Sequence, residues 1–132
     1  MERPATITLR EKATEEPTLV TQGIVDHIGN SWSVRYHDGE AFYTIGISEG
    51  LVSITRDGEE DYSLILSEGK EHSFNILSPY GDIPLTVIPR LVRSSSTEQG
   101  LSIKLSYEIV SGGLSRKFRL YINCRYNDID KY

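Results

Sequence analysis

Apolar and polar residues alternate most strictly between Leu101 and Cys124. Leu101, Ile103, Leu105, Tyr107 and Ile109 share one parity, with Ser102, Lys104, Ser106 and Glu108 between them. Strict period two marks a strand with one buried face. The pattern resumes at Leu114, Phe118, Leu120, Ile122 and Cys124, spaced by Lys117, Arg119, Tyr121 and Asn123. Between the runs, Gly112-Gly113 supplies a two-residue turn that accepts positive φ. Such a turn opposes Tyr107 to Phe118, Leu105 to Leu120, Ile103 to Ile122 and Leu101 to Cys124. Every pair is apolar on apolar, a match that a one-residue slip would destroy. The spacing predicts a β-hairpin.

The same reading extends upstream. Ala5–Glu11 reads as a first strand with Ile7 and Leu9 on one face, and Ala13–Pro17 as an acidic connection. Thr18–Ile28 reads as a long second strand whose apolar residues do not keep one parity, so a bulge at Gly23 is expected to switch its face. Trp32, Val34 and Tyr36 alternate after a Gly29-Asn30 turn. Asp38-Gly39-Glu40 leads to Tyr43 and Ile45, and Asp57-Gly58-Glu59 leads to Tyr62 and Leu64 at similar spacing, the period of an antiparallel meander. A turn at Glu49-Gly50 opposes Ile47 to Val52 and Ile45 to Ile54. His72, Phe74 and Ile76 form one face of a further strand, followed by a type I turn at Ser78-Pro79-Tyr80-Gly81. Ile83, Leu85 and Val87 open another strand, which Pro84 and Pro89 mark as irregular or at an edge. Arg93–Gly100 reads as a serine-rich polar loop, and the tail from Asn127 as frayed.

No stretch keeps helical periodicity for three turns. The fold class is therefore all-β: one domain, an antiparallel up-and-down meander of about eight to ten strands closing into a barrel, which removes exposed edges.

Composition fits that class. Hydrophobic residues make up 38% of the 132 positions, as expected where half of every strand is polar. The net charge of −5 argues against nucleic acid or an anionic membrane as partner. It is unevenly spread: residues 1–82 hold fifteen acidic and six basic residues (−9), and residues 83–132 hold four and eight (+4). In a closed sheet the two halves can face each other, which makes self-complementarity the simpler account. Cys124 is the one cysteine, so no internal disulfide forms, and a reducing cytoplasmic location is expected. The first twenty residues, charged and without an apolar run, read as neither a signal peptide nor a membrane anchor.

One family resemblance rests on particular residues. Ser78-Pro79-Tyr80-Gly81 followed by Ile83-Pro84-Leu85, the terminal strand pair with Leu105-Ser106-Tyr107, Gly23, and Val34-Arg35-Tyr36 together resemble the YwiB-like family of small bacterial proteins of uncharacterised function. The resemblance spans nearly the whole chain, and S-P-Y-G is its one crisp motif. It implies a lipocalin-like (calycin) barrel, a cytosolic bacterial setting and an internal cavity. It carries over no catalytic residue.

Chemistry offers few signals. His27, His37 and His72 lack metal-ligand spacing, so neither a metal nor another cofactor is expected. There is no G-x-S-x-G elbow, and Gly46 and Gly50 lie in a hairpin and do not open a helix that could bind phosphate. The chain therefore reads as a binding protein more than an enzyme. Two surfaces stand out. Arg116, at an inward parity between Leu114 and Phe118, and His72, on the parity of Phe74, are polar groups on an apolar face. They either reach water at a strand end or orient a ligand inside the barrel, with Tyr80 placed to close the mouth. Outside, Arg119, Tyr121 and Arg125 form a stripe suited to a protein partner. The leading expectation is a small, partly apolar ligand held by His72, Tyr80 and Arg116. The alternative is a filled barrel acting through Arg119, Tyr121 and Arg125.

Overall fold

The computed structural model describes residues 1–11 and 16–130, the side chains of 129 and 130 excepted. The acidic connection expected over Ala13–Pro17 falls mostly outside these residues. Among the described residues ten strands follow one another: β1 (Glu2–Arg10), β2 (Leu19–Ile28), β3 (Ser31–His37), β4 (Phe42–Ser48), β5 (Leu51–Asp57), β6 (Tyr62–Leu66), β7 (His72–Ser78), β8 (Gly81–Thr97), β9 (Gly100–Ser111) and β10 (Leu114–Tyr126). They form one antiparallel sheet in the order β6-β5-β4-β3-β2-β1-β10-β9-β8-β7. The outermost strands, β6 and β7, are neighbours in sequence. They meet at a single bridge, where Asp61 and Leu77 exchange backbone bonds of 2.9 and 2.8 Å. The sheet is thus a nearly closed barrel with a thin seam between β6 and β7.

The registers follow from turn chemistry and apolar matching. Gly112 and Gly113 adopt φ of 55° and 85°, which suits a two-residue turn whose twist matches its strands. Tyr107 then faces Phe118, Leu105 faces Leu120, Ile103 faces Ile122 and Leu101 faces Cys124. Around Glu49-Gly50, Ile47 faces Val52 and Ile45 faces Ile54. The inward residues stack in rows across neighbouring strands. Val34, Ile45, Ile54 and Leu64 make one row, and Leu9, Ile122 and Ile103 another, all of them buried.

Three local expectations are corrected. Gly23 is not a bulge, since β1 and β2 pair without a register shift and Ala5 faces Gly23. The alternate-parity Val20 and Ile28 simply point outward and are exposed. Glycine is needed at 23 because a Cβ there would collide with Ile7 Cδ1 and the Arg35 carbonyl. Arg93–Thr97 is strand, not loop: it continues β8 and turns at Glu98-Gln99, with Thr97 facing Gly100. Serine and threonine tolerate an extended backbone, and pairing with the apolar β9 decides the matter. The irregularity announced by Pro89 is a bulge, in which Pro89 faces Tyr107, Leu91 faces Ser106, and Arg90 is the extra residue. Finally, Asn127–Asp130 form a 3-10 turn, with Asp128 paired to Arg3 at 2.6 Å; Lys131 and Tyr132 lie outside the described residues.

Cys124 is buried on the inner face of β10, and desolvation pushes its thiol up to about 12. In the folded protein at pH 8 it should resist 5,5′-dithiobis(2-nitrobenzoate), and it should react within minutes once guanidinium unfolds the chain.

Candidate functional site

The barrel interior changes character along its axis. Above the aliphatic row of Val34, Ile45, Ile54 and Leu64, the next inward row reads Tyr36, Tyr43, Arg56 and Tyr62 across β3, β4, β5 and β6. Directly opposed residues of antiparallel strands share a face, so these four side chains point the same way. Tyr36 and Tyr43 stack, with centroids 5.1 Å apart and planes 9° from parallel. Tyr107 of β9 enters from the other side of the barrel, stacked on Phe118 at 5.4 Å. Tyr36, Tyr43, Tyr62 and Tyr107 line a cavity of about 460 Å³ whose floor is Leu9, Ile45, Ile54 and Leu120 and whose rim includes Asp38 and Glu40; Arg56 does not line it but faces a neighbouring groove with Tyr62, Asp61 and Phe74. That volume is within the range of small-molecule sites.

Hydrogen bonds fix the polar rim. Arg56 donates from Nε to the Tyr43 hydroxyl at 3.1 Å and from Nη1 to the Glu60 carbonyl. Asp38, at the end of β3, accepts from the amides of Glu40 and Ala41 at 2.8 and 2.9 Å, which folds the β3–β4 connection into an Asx turn. Burial pushes the Asp38 carboxyl up, but those two amides, the Tyr43 hydroxyl and the Arg56 charge outweigh it, and the group is held below its usual range. The rim thus carries a fixed carboxylate, and a fixed guanidinium stands beside it on the Tyr43 hydroxyl. The guanidinium has five N–H donors and spends only some of them on the protein.

Desolvation raises the phenols of Tyr36 and Tyr62 above their ordinary value, and Tyr107 to about 12. Each stays neutral in the folded barrel while its unfolded counterpart, near 10.0, ionises. Between those values the unfolded chain binds fewer protons, so stability falls as pH rises. Cys124 adds to the same trend from its ordinary 9.0 upward. An alkaline titration should show a cooperative loss of β-sheet circular dichroism above about pH 10. Part of the tyrosinate absorbance at 295 nm should appear only with that loss.

The residues singled out in the sequence are placed differently. Tyr80 sits in the β7–β8 turn and is 96% exposed. Arg116 is exposed near the tip of the β9–β10 hairpin, its guanidinium 5.1 Å from the Phe118 ring centroid. Both tips lie at the same end of the barrel as the cavity, but neither residue lines it. His72 is half-buried, and its Nε2 is shielded from solvent with no hydrogen-bond partner among the described residues. It shares a lateral row with Arg116 through Val87 and Ile109, which puts two strands between them. At about 4.8 Å per strand, the pair is separated by about 14 Å. Among the described residues no cluster of histidine, cysteine and carboxylates could hold a metal.

Arg56 is the residue that sequence reasoning missed. It continues the inward parity of Val52 and Ile54, the same signal that drew attention to Arg116. On the outer face, Arg119 and Arg125 are exposed and Tyr121 is half-buried, with Lys104 Nζ 5.3 Å from its ring centroid.

No curated protein matches the chain. Among solved structures, the chain is similar to the crystal structure of the ywiB protein from Bacillus subtilis, with a TM-score of 0.78 and 19% sequence identity. That match covers 96% of this chain and 93% of the other, and at such identity it speaks to the fold. No helix among the described residues is long and apolar enough to cross a membrane. The model of the family described as a domain of unknown function, DUF1934, matches residues 5–122, and this chain belongs to that family.

Proposed function

We propose that this protein binds a small, partly apolar molecule in the open end of its barrel, as a binding module and not as an enzyme. The observation that carries the reading is the cavity of about 460 Å³ lined by Tyr36, Tyr43, Tyr62 and Tyr107. Its aliphatic floor suits an apolar body. Its tyrosine walls suit a flat ring, because aromatic pairs favour offset or edge contacts. Arg56 does not line the cavity but is bonded to the Tyr43 hydroxyl beside it, and its charge would favour an anionic or hydrogen-bonding head held near the rim. Tyr80 and Arg116 belong to hairpin tips at that end and would cover the mouth after the ligand enters; His72 would act from the wall between β8 and the seam. The lone buried thiol fits work in a reducing compartment such as the cytosol.

The probe that tests this is 8-anilinonaphthalene-1-sulfonate, which has an aromatic body and an anionic head. Wild-type protein with intact near-ultraviolet circular dichroism should bind one molecule per chain, with saturation at micromolar dye. Filling the floor with Ile54→Phe should abolish the signal while the fold is retained. Equal dye binding by both proteins, or none by the wild type, would remove the reading. The near-ultraviolet check matters because partly folded states also bind this dye.

A further inference from the structure

The nearly closed barrel leaves the far half of β8 without a strand partner on one side. β7 covers β8 only as far as Val87, which faces His72, whereas β8 runs on to Thr97. Beyond Val87, β8 pairs with β9 alone. The turn at Glu98-Gln99 makes Thr97 and Gly100 its closing pair, so Thr97, Ser95 and Arg93 direct their amides to β9. Val92, Ser94 and Ser96 must then direct theirs outward. Val92 shows this, because its amide is bound at 2.9 Å not by β9 but by the Glu68 carboxylate. Among the described residues the amides of Ser94 and Ser96 have no backbone partner.

Exposed edges are usually defended by proline, lysine or an inward charge. Pro84 and Pro89 interrupt the first half of β8, but Ser94-Ser95-Ser96-Thr97 has no such defence. The surroundings are basic. Arg93, Lys104, Tyr121 and Arg10 lie in one lateral row across β8, β9, β10 and β1, with Arg119 one same-face position to one side and Arg125 two to the other. Arg93, Ser95, Ser102, Lys104, Tyr121 and Asn123 line an outer groove of about 460 Å³. Glu68 shows what this edge accepts: its carboxylate takes the Val92 amide and pairs with Arg93 at the same time.

We infer that the Val92–Thr97 edge of β8 docks an extended, acidic segment of a partner protein, which adds as a further strand. Main-chain bonds to Ser94 and Ser96 supply the pairing, and alternate acidic side chains fall on the outer face toward Arg93 and Lys104. This inference is independent of the cavity. It gives the Arg119–Tyr121–Arg125 face a particular occupant and turns the charge division of the chain into a docking feature.

The test uses a fluorescein-labelled peptide of alternating glutamate and threonine, followed by anisotropy at low and moderate salt. Wild-type protein should bind it, and moderate salt should weaken the binding. Ser94→Pro with Ser96→Pro removes only outward amides, so the melting midpoint should hold while binding falls at least tenfold. Lys104→Glu with Arg119→Glu should weaken binding by a similar factor, without a proline in the edge. On the unmutated protein, the peptide should slow hydrogen exchange at Ser94 and Ser96. Absence of binding, or binding unchanged by the prolines with no added protection, would overturn the inference. So would a wild-type dimer that the prolines convert to monomer, because the occupant would then be a second copy of this chain.

Discussion

Gly23→Val is expected to lower the melting midpoint by about 10 °C, corresponding to about 3 kcal/mol for overpacking in a domain of this size. Gly23 lies between Ala5 and Tyr36 in a lateral row, and its missing side chain is space already taken. A Cβ would strike Ile7 Cδ1 and the Arg35 carbonyl and come within 3.2 Å of Tyr36 Cβ. The carbonyl is backbone held by the β2–β3 pairing and cannot swing away. Relief must come from moving β3, and with it the Tyr36 ring. The substitution should therefore weaken dye binding as well as stability. Thermal melts followed by circular dichroism check it, and a midpoint within about 2 °C of wild type would contradict the packing described.

Arg56→Met is expected to act the other way round, with a large effect on binding and a small one on folding. Methionine keeps much of the aliphatic stem that packs beside Tyr43 but removes the guanidinium. Hydrogen bonds to charged groups contribute about 1.5–3 kcal/mol, so affinity for 8-anilinonaphthalene-1-sulfonate should fall about ten- to hundredfold. The hydrogen bonds from Arg56 go to one phenol and one exposed carbonyl, and its charge also helps hold the Asp38 carboxyl down. Its melting midpoint should stay within a few degrees of wild type. Fluorescence titration beside a thermal melt separates the two effects. Unchanged affinity would mean that the head group, if held at all, is held elsewhere.

What the sequence made legible was whatever follows from alternation and turn chemistry. The Gly112-Gly113 hairpin and the Glu49-Gly50 hairpin have the registers expected from matching apolar residues. Gly23 resembles a bulge only where every apolar residue of β2 is taken to face inward; Val20 and Ile28 are exposed apolar residues of the kind any surface carries. The composition of Ser94–Thr97 is that of a loop, whereas the partner strand β9 decides the state of an extended polar run. The cavity is a more instructive case. Tyr36, Tyr43 and Tyr62 are visible as strand markers, but their meeting in one row depends on three registers added together, and Arg56 breaks the apolar pattern only at its last inward position. Arg116 attracted attention for the same kind of break, yet it lies on a hairpin that outruns the barrel wall and ends in solvent. Parity tells which way a side chain points. It does not tell whether anything remains opposite.

The most direct test is native mass spectrometry of the protein purified gently from its own cells, wild type beside Arg56→Met. The tyrosine-lined cavity predicts a reproducible small mass carried one per wild-type chain, lost on denaturation and largely absent from the variant. A bare chain mass for both proteins, or the same mass carried equally by both, would contradict a ligand site lined by Tyr36, Tyr43, Tyr62 and Tyr107 with Arg56 beside it.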